Sequence, residues 1–130
     1  MDNALIHVAT MLAVADLERS VAFYRDRLDF AVREASPDLA LLARGPMLLY
    51  LVTESPPTPD KPGVTLAPPP LPDQTPVNIV FRVADCRAVF DTLRARGVRF
   101  LAPPHARAWG GWRCFARDPD GYLIEIEQPT

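Results

Sequence analysis

Glu125 lies in the stretch W-G-G-W-R-C-F-A-R-D-P-D-G-Y-L-I-E-I-E-Q, residues 109 to 128, near Trp109, Arg113, Arg117 and Glu127. A carboxylate so placed can serve as a general base where solvation is poor, as a metal ligand, or as the structural partner of an arginine. The guanidiniums of Arg82 and Arg113 suit a carboxylate or phosphate on a ligand, and equally suit Glu125 and Glu127. The indole of Trp109 suits stacking on a flat or cationic molecule. The two imidazoles, His7 and His105, stand far apart in the chain, His7 in an apolar run and His105 beside Pro103-Pro104 in an expected loop.

A hairpin must position Glu125. Asp118-Pro119-Asp120-Gly121 is a strong turn signal, since proline presets φ, aspartate caps locally and glycine accepts φ > 0. The flanking strands, about 112 to 117 and 122 to 128, then pair with Arg117 opposite Leu123, Phe115 opposite Glu125 and Arg113 opposite Glu127. Trp112, Cys114, Ala116, Ile124 and Ile126 share the other, core-forming face. Cys86 and Cys114 lack metal-like spacing and read as reduced, structural thiols.

At 130 residues the chain suits one compact domain or two small modules sharing a core. A net charge of -2 leaves no basic stripe for nucleic acid. No signal peptide and no long apolar run is visible, so a cytoplasmic protein without membrane partners is expected.

Residues 4 to 14 read as a strand with His7, Ala9, Met11 and Ala13 on one face. Asp16 caps a helix through Leu17, Val21, Tyr24 and Leu28. Three short strands follow, at 30 to 34, 39 to 43 and 47 to 52. Nine of the fifteen prolines fall in residues 55 to 76, which excludes helix and central strand there. From residue 77 the pattern restarts: a strand at 78 to 83, a helix capped by Asp85 and stopped by Gly97, a strand at 98 to 101, and the hairpin. Val14-Ala15-Asp16 and Val83-Ala84-Asp85 are one tripeptide repeated 69 positions on. An α+β fold of two tandem βαβββ modules follows, residues 1–54 and 77–130, joined by a proline-rich linker at 55–76. Such modules form a curved mixed sheet around a cleft, with helices on the outer face.

On V-A-D-L-E-R-S-V-A-F-Y-R-D-R-L-D-F at 14 to 30, V-A-D-C-R-A-V-F-D-T-L-R-A-R-G-V at 83 to 98, and Trp109-Gly110 followed by D-P-D-G-Y-L-I-E, the chain resembles the vicinal oxygen chelate superfamily. That group includes glyoxalase I, bleomycin-resistance proteins and ring-cleaving dioxygenases. The resemblance implies that metal-dependent members draw ligands from the opening and closing strand of each module, here Ala9 and Asn78, and Leu49 and Glu125. Alignment on the turn glycines pairs Leu49 with Glu125. Two of these positions are alkyl and one is a neutral amide, so no metal or other cofactor is expected. His7, two residues from Ala9 and roughly 6.5 Å along a strand, is the one group able to join Glu125 around a divalent metal.

The resemblance implies a homodimer binding a small molecule. The expected lining is apolar at Met11, Met47, Leu49 and Phe115 and polar at Asn78, Arg82, Arg113 and Glu125, with Trp109 stacking on the ligand. A metal-free protein sequestering an aromatic or amphipathic molecule such as an antibiotic is the leading expectation. The alternative is a lyase, isomerase or dioxygenase with Glu125 as base, or as metal ligand with His7.

Overall fold

The computed structural model describes residues 3–130 and divides the chain into two compact units, Met1–Pro68 and Pro69–Thr130. Each carries a mixed sheet and a helix, so the α+β class is borne out. No helix among the described residues is long and apolar enough to cross a membrane.

In the first unit, β1 (Thr10–Val14) leads into α1 (Leu17–Ala22), which continues as a π-helical turn over Phe23–Arg27. Asp16 accepts the Arg19 backbone N–H at 3.1 Å, capping the helix as its residue type requires. The wider turn buries Phe23 and Tyr24. The Tyr24 ring meets Phe23 and Phe30 edge-on, at 5.1 and 5.8 Å. β2 (Ala31–Ala35), β3 (Leu39–Arg44) and β4 (Met47–Thr53) follow, and the sheet order is β1-β4-β3-β2 with β1 parallel to β4. Leu12 pairs with Leu51, and Leu51 with Ala40. Opposed residues share a face, so Leu12, Val14, Ala40, Leu42, Leu49 and Leu51 form one sealed side, none more than 5% exposed.

β1 is shorter than the expected strand from 4 to 14, for a reason visible in its partner. The register Thr10↔Leu49 brings the start of β4, Met47, opposite Val8. The turn at Gly45-Pro46 lies beyond, so no strand remains for residues 4 to 7. Leu5, Ile6 and Val8 are 97, 84 and 89% exposed.

The second unit repeats the order. β5 (Asn78–Arg82) is followed by α2 (Cys86–Ala95), where Asp85 accepts the Ala88 N–H at 3.1 Å. Gly97, at φ 89°, ends the helical stretch. β6 (Arg99–Phe100), β7 (His105–Ala106), β8 (Trp112–Arg117) and β9 (Leu123–Gln128) complete it. The order is β5-β9-β8-β6, and β7 also pairs with β8. His105, expected in a loop, sits on β7 opposite Arg113, its Nδ1 2.8 Å from the Pro103 carbonyl oxygen. The β8–β9 register carries all three expected pairs. α2 covers the apolar side: Cys86 Sγ is 3.7 Å from Cys114 Sγ, and the Arg87 guanidinium lies 4.3 Å above the Trp112 ring.

The proline-rich segment is divided between the units. Residues 55 and 66 bridge each other within the first, where the Lys61 ammonium donates to the carbonyls of Pro56 at 2.8 Å and Val64 at 2.6 Å. In the second, Arg117 ties the segment down, donating to the Pro72 carbonyl at 2.8 Å and to Asp73 at 2.7 Å.

Candidate functional site

The helix-free face of the second sheet gathers most of the candidate residues. Alternation and register place Asn78, Val80 and Arg82 of β5, Glu125 and Glu127 of β9, and Arg113 and Phe115 of β8 on it. Glu125 is 7% exposed and accepts one hydrogen bond from the Asn78 side-chain amide, at 2.8 Å. That bond leaves the Asn78 carbonyl oxygen and a second N–H for another partner.

Next to it stands a polar group built on Glu127. Arg107 donates to Glu127 Oε1 at 2.7 Å, and Arg82 Nε lies 3.4 Å from Oε2. The Arg107 guanidinium also lies 4.6 Å from the Trp109 ring centre, on one ring face. Trp109 itself is 69% exposed. The loop that carries it is closed by Arg107 N–H donating to the Gly111 carbonyl at 3.0 Å. Gly111 has φ 80°, and a Cβ there would collide with the carbonyl oxygens of Gln128 and Pro129. The second glycine of W-G-G-W is therefore required by backbone approach.

Arg113 does not pair with Glu127 as its register suggests. Its guanidinium lies 5.3 Å from the Phe115 ring centre. Arg117 also turns from Glu125, toward the 72–73 segment. Arg107 escaped the sequence reading; its signal is the spacing Arg-x-Trp, which lets a guanidinium fold back onto the indole.

The first unit holds the remaining candidates. Met11 is on the helix-free face of its sheet and 45% exposed. Leu49 is not on that face: paired with Thr10 and Leu42, it lies in the sealed core at 5% exposure, and Met47 shares its side at the sheet end. The repeat explains the correction. Met11 plus 69 is Val80; Met11 pairs with Tyr50 and Val80 with Glu125, so Tyr50 is the counterpart of Glu125. Anchoring on glycines failed because the first hairpin joins Arg44 to Met47 across two residues, while the second joins Arg117 to Leu123 across five.

The positions that the resemblance implies for metal ligands thus hold Ala9 and Tyr50 in the first unit and Asn78 and Glu125 in the second: methyl, phenol, amide and carboxylate. This set does not fit a zinc or iron centre, which draws on three or four His, Cys or carboxylate ligands. His7 is exposed and lies before β1. Among the described residues no three His, Cys, Asp or Glu gather in a metal-binding group.

A comparison with curated sequences returns no significant match. Among solved structures, TnmS3, an antibiotic binding protein from Streptomyces sp. CB03234, is 24% identical over 99% of this chain and 100% of its own, with a TM-score of 0.72. TioX from Micromonospora sp. ML1 is 22% identical over 96% and 99%, with a TM-score of 0.75. A bleomycin resistance determinant encoded on the transposon Tn5 is 24% identical over 95% and 98%, with a TM-score of 0.67. The family model of the Glyoxalase/Bleomycin resistance protein/Dioxygenase superfamily matches residues 4–126, nearly the whole chain, and the protein belongs to that superfamily.

Proposed function

We propose that this protein is a metal-free binding protein that sequesters an aromatic or amphipathic small molecule such as an antibiotic, acting as a cytoplasmic homodimer. The observation that carries the reading is Trp109: a large apolar ring, 69% exposed, backed by a guanidinium that Glu127 holds in place. An exposed indole with one face fixed is a stacking platform prepared before the ligand arrives, which lowers the ordering cost of binding. Asn78, oriented by the buried Glu125, adds an amide able both to donate and to accept. The donor set at the family's metal positions supports binding without a cation. TnmS3 and the Tn5 determinant, as described, bind or resist antibiotics, in keeping with the reading.

The test is tryptophan fluorescence titrated with a panel of planar aromatic antibiotics. Saturable quenching by at least one member, at one ligand per chain, is expected in the parent protein. In Trp109→Ala, followed by calorimetry, the affinity falls about tenfold, the loss of one stacking contact of about 1 to 1.5 kcal/mol. A full panel without saturable quenching contradicts the proposal.

A further inference from the structure

The arginines around Trp109 and Phe115 restrict the charge of whatever binds. Trp109 has a quadrupole attractive to cations, but one ring face already carries the Arg107 guanidinium at 4.6 Å. That cation is fixed, since its side chain is 15% exposed and its Nη1 donates to Glu127 Oε1 at 2.7 Å. Phe115 is likewise covered, with Arg113 5.3 Å from its centre. Both rings offered to a ligand therefore sit beside positive charge supplied by the chain itself, and a cationic guest stacking on them would meet repulsion.

The local charge count points the same way. Glu127 is surrounded by Arg82, Arg107 and Arg113, and its two oxygens face the first two. Glu125 is buried and bonded to the neutral Asn78. Arg113 is left half-buried on the same face, its guanidinium stacked on Phe115 and making no hydrogen bond or ion pair among the described residues. His105, opposite it on β7, is engaged with the Pro103 carbonyl. A guanidinium has five donors in a planar fork that matches a carboxylate, and here that fork is unused.

We infer that the ligand is a planar aromatic anion, its ring stacked on the Trp109 face opposite Arg107 and its carboxylate or equivalent acid anchored by Arg113. The inference rests on the binding function proposed above and narrows it to one charge class.

Three probes with one ring system test it by calorimetry: naphthalene-2-carboxylate, 2-naphthalenemethanol and the 2-naphthylmethylammonium ion. The carboxylate is expected to bind about tenfold more tightly than the alcohol, the scale of one charge-assisted hydrogen bond, and the ammonium more weakly than the alcohol. In Arg113→Gln the carboxylate-to-alcohol affinity ratio is expected to fall to about one, with an unchanged circular dichroism melt reporting an intact fold. Ammonium binding as tight as carboxylate binding would overturn the charge assignment and leave the binding function standing. A carboxylate preference surviving in Arg113→Gln would overturn the role of Arg113. Failure of all three probes to bind a protein that does bind a member of the antibiotic panel would overturn the inference and leave the binding function standing.

Discussion

Cys86 and Cys114 occupy the seam between α2 and β8, sulfurs 3.7 Å apart and both out of water. Burial pushes both thiol pKa values up, that of Cys114 to about 12 from an ordinary 9.0, with the neighbouring Cys86 adding to the rise. Between those values the folded chain keeps a proton that the unfolded chain has released. Stability from this group is thus fully present below pH 9 and falls as pH rises toward 12. Thermal melts from pH 7 to 10.5 are expected to show a steeper alkaline loss in the parent protein than in Cys114→Ala, and equal slopes would contradict this. At the same scale Glu125 was legible as a carboxylate on a sheet face beside Phe115 and two arginines, because hairpin register follows from turn chemistry. Its partner was not, since the Asn78–Glu125 bond spans 47 residues and depends on β5 lying parallel to β9.

Elements set by local chemistry were the most legible. Both Val-Ala-Asp repeats end a strand and cap a helix, and the aspartates accept from the third residue on, as side-chain capping requires. The terminal hairpin kept its register because its turn residues leave little choice. Elements whose limits depend on a distant partner were misjudged. Residues 4 to 7 have no strand to pair with because β4 begins at Met47, opposite Val8, which no periodicity in residues 4 to 14 encodes. Leu49 was assigned to the wrong face because a turn shorter by three residues moves every side chain beyond it, and in a strand a shift of one exchanges the faces. β7 is two residues long and exists only because β8 offers an edge.

At the scale of the whole molecule, the repeat, the α+β class and the superfamily were readable from the sequence, while the ligand was not, since it depends on loop placement such as that of Trp109. The exposed Leu5, Ile6 and Val8 support the proposed homodimer, because clustered apolar side chains in water mark contact surfaces. Sedimentation equilibrium is expected to give two chains per particle, and one chain in Leu5→Asp/Ile6→Asp; a monomeric parent protein would refute the dimer. The proposed binding without a cation rests on Ala9 and Tyr50 in the first unit and Asn78 and Glu125 in the second, at the positions that the family resemblance implies for metal ligands. Elemental analysis of the purified, undialysed protein by plasma mass spectrometry tests that most directly. The account predicts every transition metal far below one per chain, and a zinc, nickel, manganese or iron content approaching one per chain would contradict it.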